Sequence, residues 1–138
     1  MSLPLVGIDA SRGFWSGAPE TGTERYARQV VARLVAQPGR RWRLYARAPA
    51  TGLPDGADAR VLGPRRLWTH LGLGREVFFR PPDALFVPAH VMPVVCRPPA
   101  VVTVHDVGFR HVPEAHAWTR RAYLEWSTRR HVRVAARL

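Results

Sequence analysis

Ala100-Val101-Val102-Thr103-Val104-His105-Asp106 decides how this chain folds. Its β-branched, apolar first five residues read as a buried strand, and a titratable pair follows at the carboxyl end. In an open α/β sheet ligands bind outside the carboxyl ends of the strands, so His105 and Asp106 stand where a site belongs. Working backwards, Asp83-Ala84-Leu85-Phe86-Val87 reads as another such strand, closed by Pro88-Ala89-His90. Leu5-Val6-Gly7-Ile8-Asp9 is the first strand, and the glycine-containing stretch from Ala10 to Glu20 is a loop.

Helices alternate with these strands. Thr21-Gly22-Thr23-Glu24 fits a capping box, in which a threonine and a glutamate three positions later satisfy free backbone N–H groups. Tyr26, Ala27, Val30, Val31, Leu34 and Val35 then recur at helical spacing until Pro38-Gly39. Tyr26 is expected in the core. Trp42–Ala46 and Ala59–Leu62 complete the strands, while Arg65 to Phe79 predicts an irregular helix, because Gly72 and Gly74 argue against a continuous one. After Pro113 a helix of good formers runs to the end. Leu124, Thr128, Val132, Ala135 and Leu138 are its expected buried stripe, and Arg120, Arg121, Arg129, Arg130, Arg133 and Arg137 its solvated side. Such alternation predicts a Rossmann-like three-layer α/β/α domain over residues 4–138, with a mainly parallel sheet. The last helix leads into no strand and has no terminating glycine, so the expectation is a piece of a longer protein.

Composition narrows the classes. The 138 residues, 46% hydrophobic, suffice for one domain with a sizeable core. The single cysteine, Cys96, supports neither an internal disulfide nor a zinc framework, which fits a reducing cytoplasm. No apolar run approaches the ~20 residues of a membrane span. The formal charge of +11 comes from 21 basic residues that are all arginine, without one lysine, as a GC-rich coding sequence would produce. Aromatics interleaved with basic residues on one face are not evident, so no nucleic-acid partner is expected. An anionic membrane surface suits the charge better.

Asp9, His90, His105 and Asp106 come from three strand ends, and the helix starting at Gly22 aims free N–H groups at the same rim. An anion fits there: Gly22 permits close approach and Thr23 adds a hydroxyl, whereas the dinucleotide fingerprint G-x-G-x-x-G is not present after the first strand. His90, His105, Asp106, His111 and His116 also allow a metal-dependent hydrolase, although their spacing matches no ligand motif. A basic module docking to membranes through the terminal helix is the non-enzymatic alternative.

In order and spacing, Gly7-Ile8-Asp9-Ala10, Thr21-Gly22-Thr23-Glu24-Arg25-Tyr26, Leu67-Trp68, Asp83 to His90 and Pro98 to Asp106 followed by Pro113-Glu114 resemble one known pattern. It is the amino-terminal half of family 4 glycosyltransferases, particularly the branch with bacterial mannosyltransferases. The resemblance implies one half of a retaining enzyme of the GT-B type. This half would bind the acceptor, while a separate carboxyl-terminal domain holds the nucleotide sugar. It implies transfer of a sugar, mannose among the candidates, to a glycan or lipid-linked acceptor. No cofactor or metal is implied, the nucleotide sugar being a substrate. His105 would face the transferred sugar, oriented by Asp106, and Gly22 and Thr23 would lie near phosphates or acceptor. His90 and Asp9 would line the substrate side. The family's double glycine reads Thr21-Gly22 here. Alone, the chain is expected to be inactive, and its location cytoplasmic, with the inner membrane face as a peripheral option.

Overall fold

The computed structural model describes residues 2–15, 17, 21–89, 91–105 and 117–135. Five strands form one sheet: β1 (Leu5–Asp9), β2 (Arg41–Ala46), β3 (Ala57–Val61), β4 (Ala84–Val87) and β5 (Ala100–Val102). Their order is β3-β2-β1-β4-β5 and every pairing is parallel, as in a Rossmann-like fold. The winding reverses between β1 and β4, which opens a crevice at the carboxyl ends of those two strands. Asp83 fixes their register at the other end, where its carboxylate accepts from the Leu5 N–H at 2.7 Å and its own N–H donates to the Leu5 carbonyl at 2.8 Å.

The period of two along each strand divides the core between the sheet's faces. On one face Ile8, Trp42 and Leu44 pack beneath helix α1 (Gly22–Val35), which contributes Val31 and Val35. On the other, Tyr45, Leu85, Val87, Ala100 and Val102 meet Trp68, Leu73, Val77 and Met92. Most of this second layer comes from a π-helical segment (Trp68–Leu73) that runs directly into helix α2 (Gly74–Phe79). Helix α3 (Trp118–Val134) adds His131, whose Nε2 accepts from the Met92 N–H at 3.2 Å.

Four expectations are corrected. The second helical stretch is irregular as expected, but through its π-helical first part, and Gly72 and Gly74 do not interrupt it. A Cβ on Gly72 would stand 3.0 Å from the Trp68 ring and 3.2 Å from the Gly63 carbonyl, and one on Gly74 3.3 Å from Pro93, so close packing selects glycine there. The capping box is not made. Thr21 is the N-cap, but its hydroxyl bonds the Glu24 carboxylate, which is buried and ion-paired with Arg12 at 3.3 Å. A charged partner outcompetes the backbone N–H for that carboxylate. The buried stripe of α3 is rotated: Ser127 and His131 are buried while Val132 is 61% exposed. Arg130 turns inward, donating to the carbonyls of Pro93 and Val94, because the loop after β4 presents acceptors with no strand partner. Finally, β5 ends at Val102, and the ladder extends only through the Thr103 N–H, which donates to the Val87 carbonyl at 2.9 Å. His105 therefore lies in the loop beyond the strand. Leu138, Arg137 and Pro113 lie outside the described residues.

Candidate functional site

His105 is half-buried and held from two sides. Its Nε2 lies 2.8 Å from the Pro88 carbonyl at the end of β4; a carbonyl only accepts, so the proton is on Nε2. The Tyr26 ring meets the imidazole edge-on at 4.9 Å between centroids, and the Tyr26 hydroxyl lies 3.2 Å from that of Thr103. Tyr26, expected in the core, instead joins α1 to the β5 loop. With Nε2 engaged, Nδ1 has no partner among the described residues and can accept from a ligand hydroxyl. Gly22 is exposed at the first residue of α1, and a Cβ there would meet nothing within 4 Å among the described residues. Thr23 beside it is half-buried.

Asp9 belongs to a different part of the rim. It ends β1, is only 3% exposed, and accepts from the Ser11 N–H at 2.9 Å. Burial raises its pKa above the ordinary 3.8, opposed by the Ser11 hydrogen bonds and the charges of Arg12 and Arg47. Asp9 lines a cleft of about 570 Å³ with Arg12, Arg47, Arg65, Arg120, His70 and Tyr123. Ala89, just beyond β4, lines it too, which puts the cleft at the β1/β4 crevice. Gly22, Thr23 and His105 do not line it. The sequence-predicted residues thus divide into a His105–Tyr26 group beside α1 and an Asp9 group in the arginine-lined cleft. His90 and Asp106 lie outside the described residues.

The cleft's hydrogen-bond polarity follows from one backbone group. The Val94 N–H donates to Nδ1 of His70 at 3.3 Å, so the ring proton sits on Nε2 and points at the Tyr123 hydroxyl, 2.8 Å away. That hydroxyl accepts from His70 and keeps its own hydrogen to donate. Burial, and secondarily Arg130, lowers the His70 pKa, which keeps the imidazole neutral. Burial also raises the Tyr123 pKa, which keeps the phenol protonated.

Sequence reasoning missed this cluster. Arg47 carried a local signal, since it continues the alternation of Arg43 and Tyr45 one step past β2, but the pairing of His70 with Tyr123, distant in sequence, has none. No group of three or more His, Cys, Asp or Glu able to hold a metal occurs among the described residues; His90, Asp106, His111 and His116 are not among them. Nor is any described helix long and apolar enough to cross a membrane. Compared with known protein families, with curated proteins and with solved structures, the chain matches none significantly.

Proposed function

We propose that this chain is the acceptor-binding half of a retaining glycosyltransferase of the GT-B type, which moves a sugar from a nucleotide sugar held by a second domain. The observation that carries this reading is the junction of His105 with the Pro88 carbonyl and the Tyr26 ring, because it ties the β5 loop to the start of α1 at one rim. The motifs resembling family 4 glycosyltransferases supply the reaction class. In this reading His105 faces the transferred sugar, with Nδ1 or the backbone carbonyl meeting a hydroxyl or the developing oxocarbenium charge. Gly22 and Thr23 lie beside phosphate or acceptor and Asp9 takes a substrate hydroxyl, while His90 and Asp106, outside the described residues, keep the acceptor-side and orienting roles that the resemblance implies. The nucleotide sugar is a substrate, and no metal takes part. The protein works in the cytoplasm, at the inner membrane face where lipid-linked acceptors are presented.

A leaving diphosphate needs stabilising groups from both domains, and losing half of a preorganised electrostatic site removes several kcal/mol of transition-state stabilisation. The 138-residue chain, incubated with nucleotide sugars and octyl glycosides as acceptor mimics, is therefore expected to show no transfer. In saturation-transfer NMR at least one octyl glycoside is expected to contact it, and Thr23→Val to weaken that contact. Transfer at enzymatic rates by the chain alone, or no glycoside contact across the set, would overturn the proposal.

A further inference from the structure

The cleft at the β1/β4 crevice is lined by arginines from four separate segments: Arg12 after β1, Arg47 after β2, Arg65 before the π-helical segment and Arg120 in the first turn of α3. Arg12 is shared with Glu24. Arg47, Arg65 and Arg120 make no ion pair or hydrogen bond among the described residues. Guanidiniums without an ion-pair partner among the described residues repel one another around one concavity, and low-dielectric walls strengthen their combined field. Their convergence is also geometrically selective. A membrane surface calls for charges spread over a convex or flat face and a nucleic-acid backbone for a linear track, whereas charges facing inward on a cleft suit a compact, polyvalent anion. Guanidinium forks match phosphate oxygens, and a diphosphate has enough oxygens to engage several forks at once.

The other lining groups refine the ligand. Tyr123, with its oxygen already accepting from His70, is a donor towards the cleft. Among the described residues Asp9 is the one carboxylate in the lining, and it can accept only from a donor such as a hydroxyl. We propose that this cleft is a binding site for the diphosphate group of a hydroxyl-bearing ester, with the phosphates on Arg47, Arg65 and Arg120, the Tyr123 hydroxyl donating to them, and a ligand hydroxyl on Asp9. The cleft adjoins the first turn of α1 through the Arg12–Glu24 pair and shares Asp9 with the sugar-transfer reading, but the proposal rests on charge and shape.

Calorimetric titration of the full chain with sodium pyrophosphate tests it. Saturable binding near one equivalent is expected. The pair Arg47→Gln and Arg65→Gln should weaken it by about tenfold or more, since each removes a charge-assisted contact. The pair Arg33→Gln and Arg97→Gln removes the same charge from exposed positions outside the cleft and should leave it nearly unchanged. A second arm, phosphatidylcholine vesicles with and without phosphatidic acid, separates the sources. Binding only to the acidic vesicles and not to pyrophosphate would mean a lipid phosphate monoester rather than a diphosphate, and would also overturn the proposal. Equal losses in both pairs would mean diffuse attraction to the chain's net charge, and absence of binding in both arms an empty cleft; either result overturns the proposal.

Discussion

Asp9 shows what a single residue costs at such a rim. Its carboxylate is buried at the end of β1 with one backbone N–H bonded to it, and burial raises its pKa above the 3.8 it has when solvated. A carboxylate whose folded pKa is raised is stabilising only where it is protonated. The native state then binds the proton more tightly than the unfolded chain, and stability falls as pH rises from the unfolded value through the folded one. Asp9→Asn keeps the shape and an oxygen for the Ser11 N–H while removing the charge. It is expected to raise the thermal midpoint at neutral pH, with the gain shrinking as pH is lowered towards 3.8. Melting curves across that range check it, and a gain that grows in acid would contradict the assignment.

Glycines separate two kinds of element constraint. At Gly22 nothing among the described residues requires the absence of a side chain, since a Cβ would meet none of them within 4 Å. Alanine there should fold and stabilise α1 by up to about 0.5 kcal/mol through helix propensity. Gly72 has the opposite environment, between the Trp68 ring and the Gly63 carbonyl. Alanine there is expected to cost about 1–3 kcal/mol despite the same propensity gain, because a backbone carbonyl and a buried ring must move. Urea unfolding of the two variants checks the contrast, and equal effects would refute it. The π-helical segment explains why the stretch from Arg65 to Phe79 reads ambiguously: its extra residue per turn shifts Trp68 and Leu73 out of the period expected for Val77.

Across the whole molecule, 21 arginines against 10 acidic residues make self-repulsion a global term. Salt screens such repulsion over a Debye length of about 10 Å at 0.1 M. The thermal midpoint should therefore rise between about 10 and about 150 mM sodium chloride, by a few degrees. A midpoint that falls over this range would mean that attractive pairs, such as Arg43–Asp58 at 2.7 Å, outweigh the excess charge. The cleft concentrates part of that excess, so pyrophosphate should act there beyond its ionic strength.

The α/β class and the parallel sheet were legible in the sequence because buried strands and amphipathic helices carry their own periods, as Ala100–Val102 and Val31–Val35 show. Asp9 was legible as a strand-end residue for the same reason, whereas His105 proved to lie in the loop beyond β5. Their separation into two groups was not, nor was the inward turn of Arg130. Periodicity records which face of an element is apolar, but it does not record how far a helix rotates or which distant loop offers it acceptors. Those outcomes follow from packing the second layer onto the sheet, where the Val94 N–H, His70 and Tyr123 come together only once α3 lies across the loop after β4.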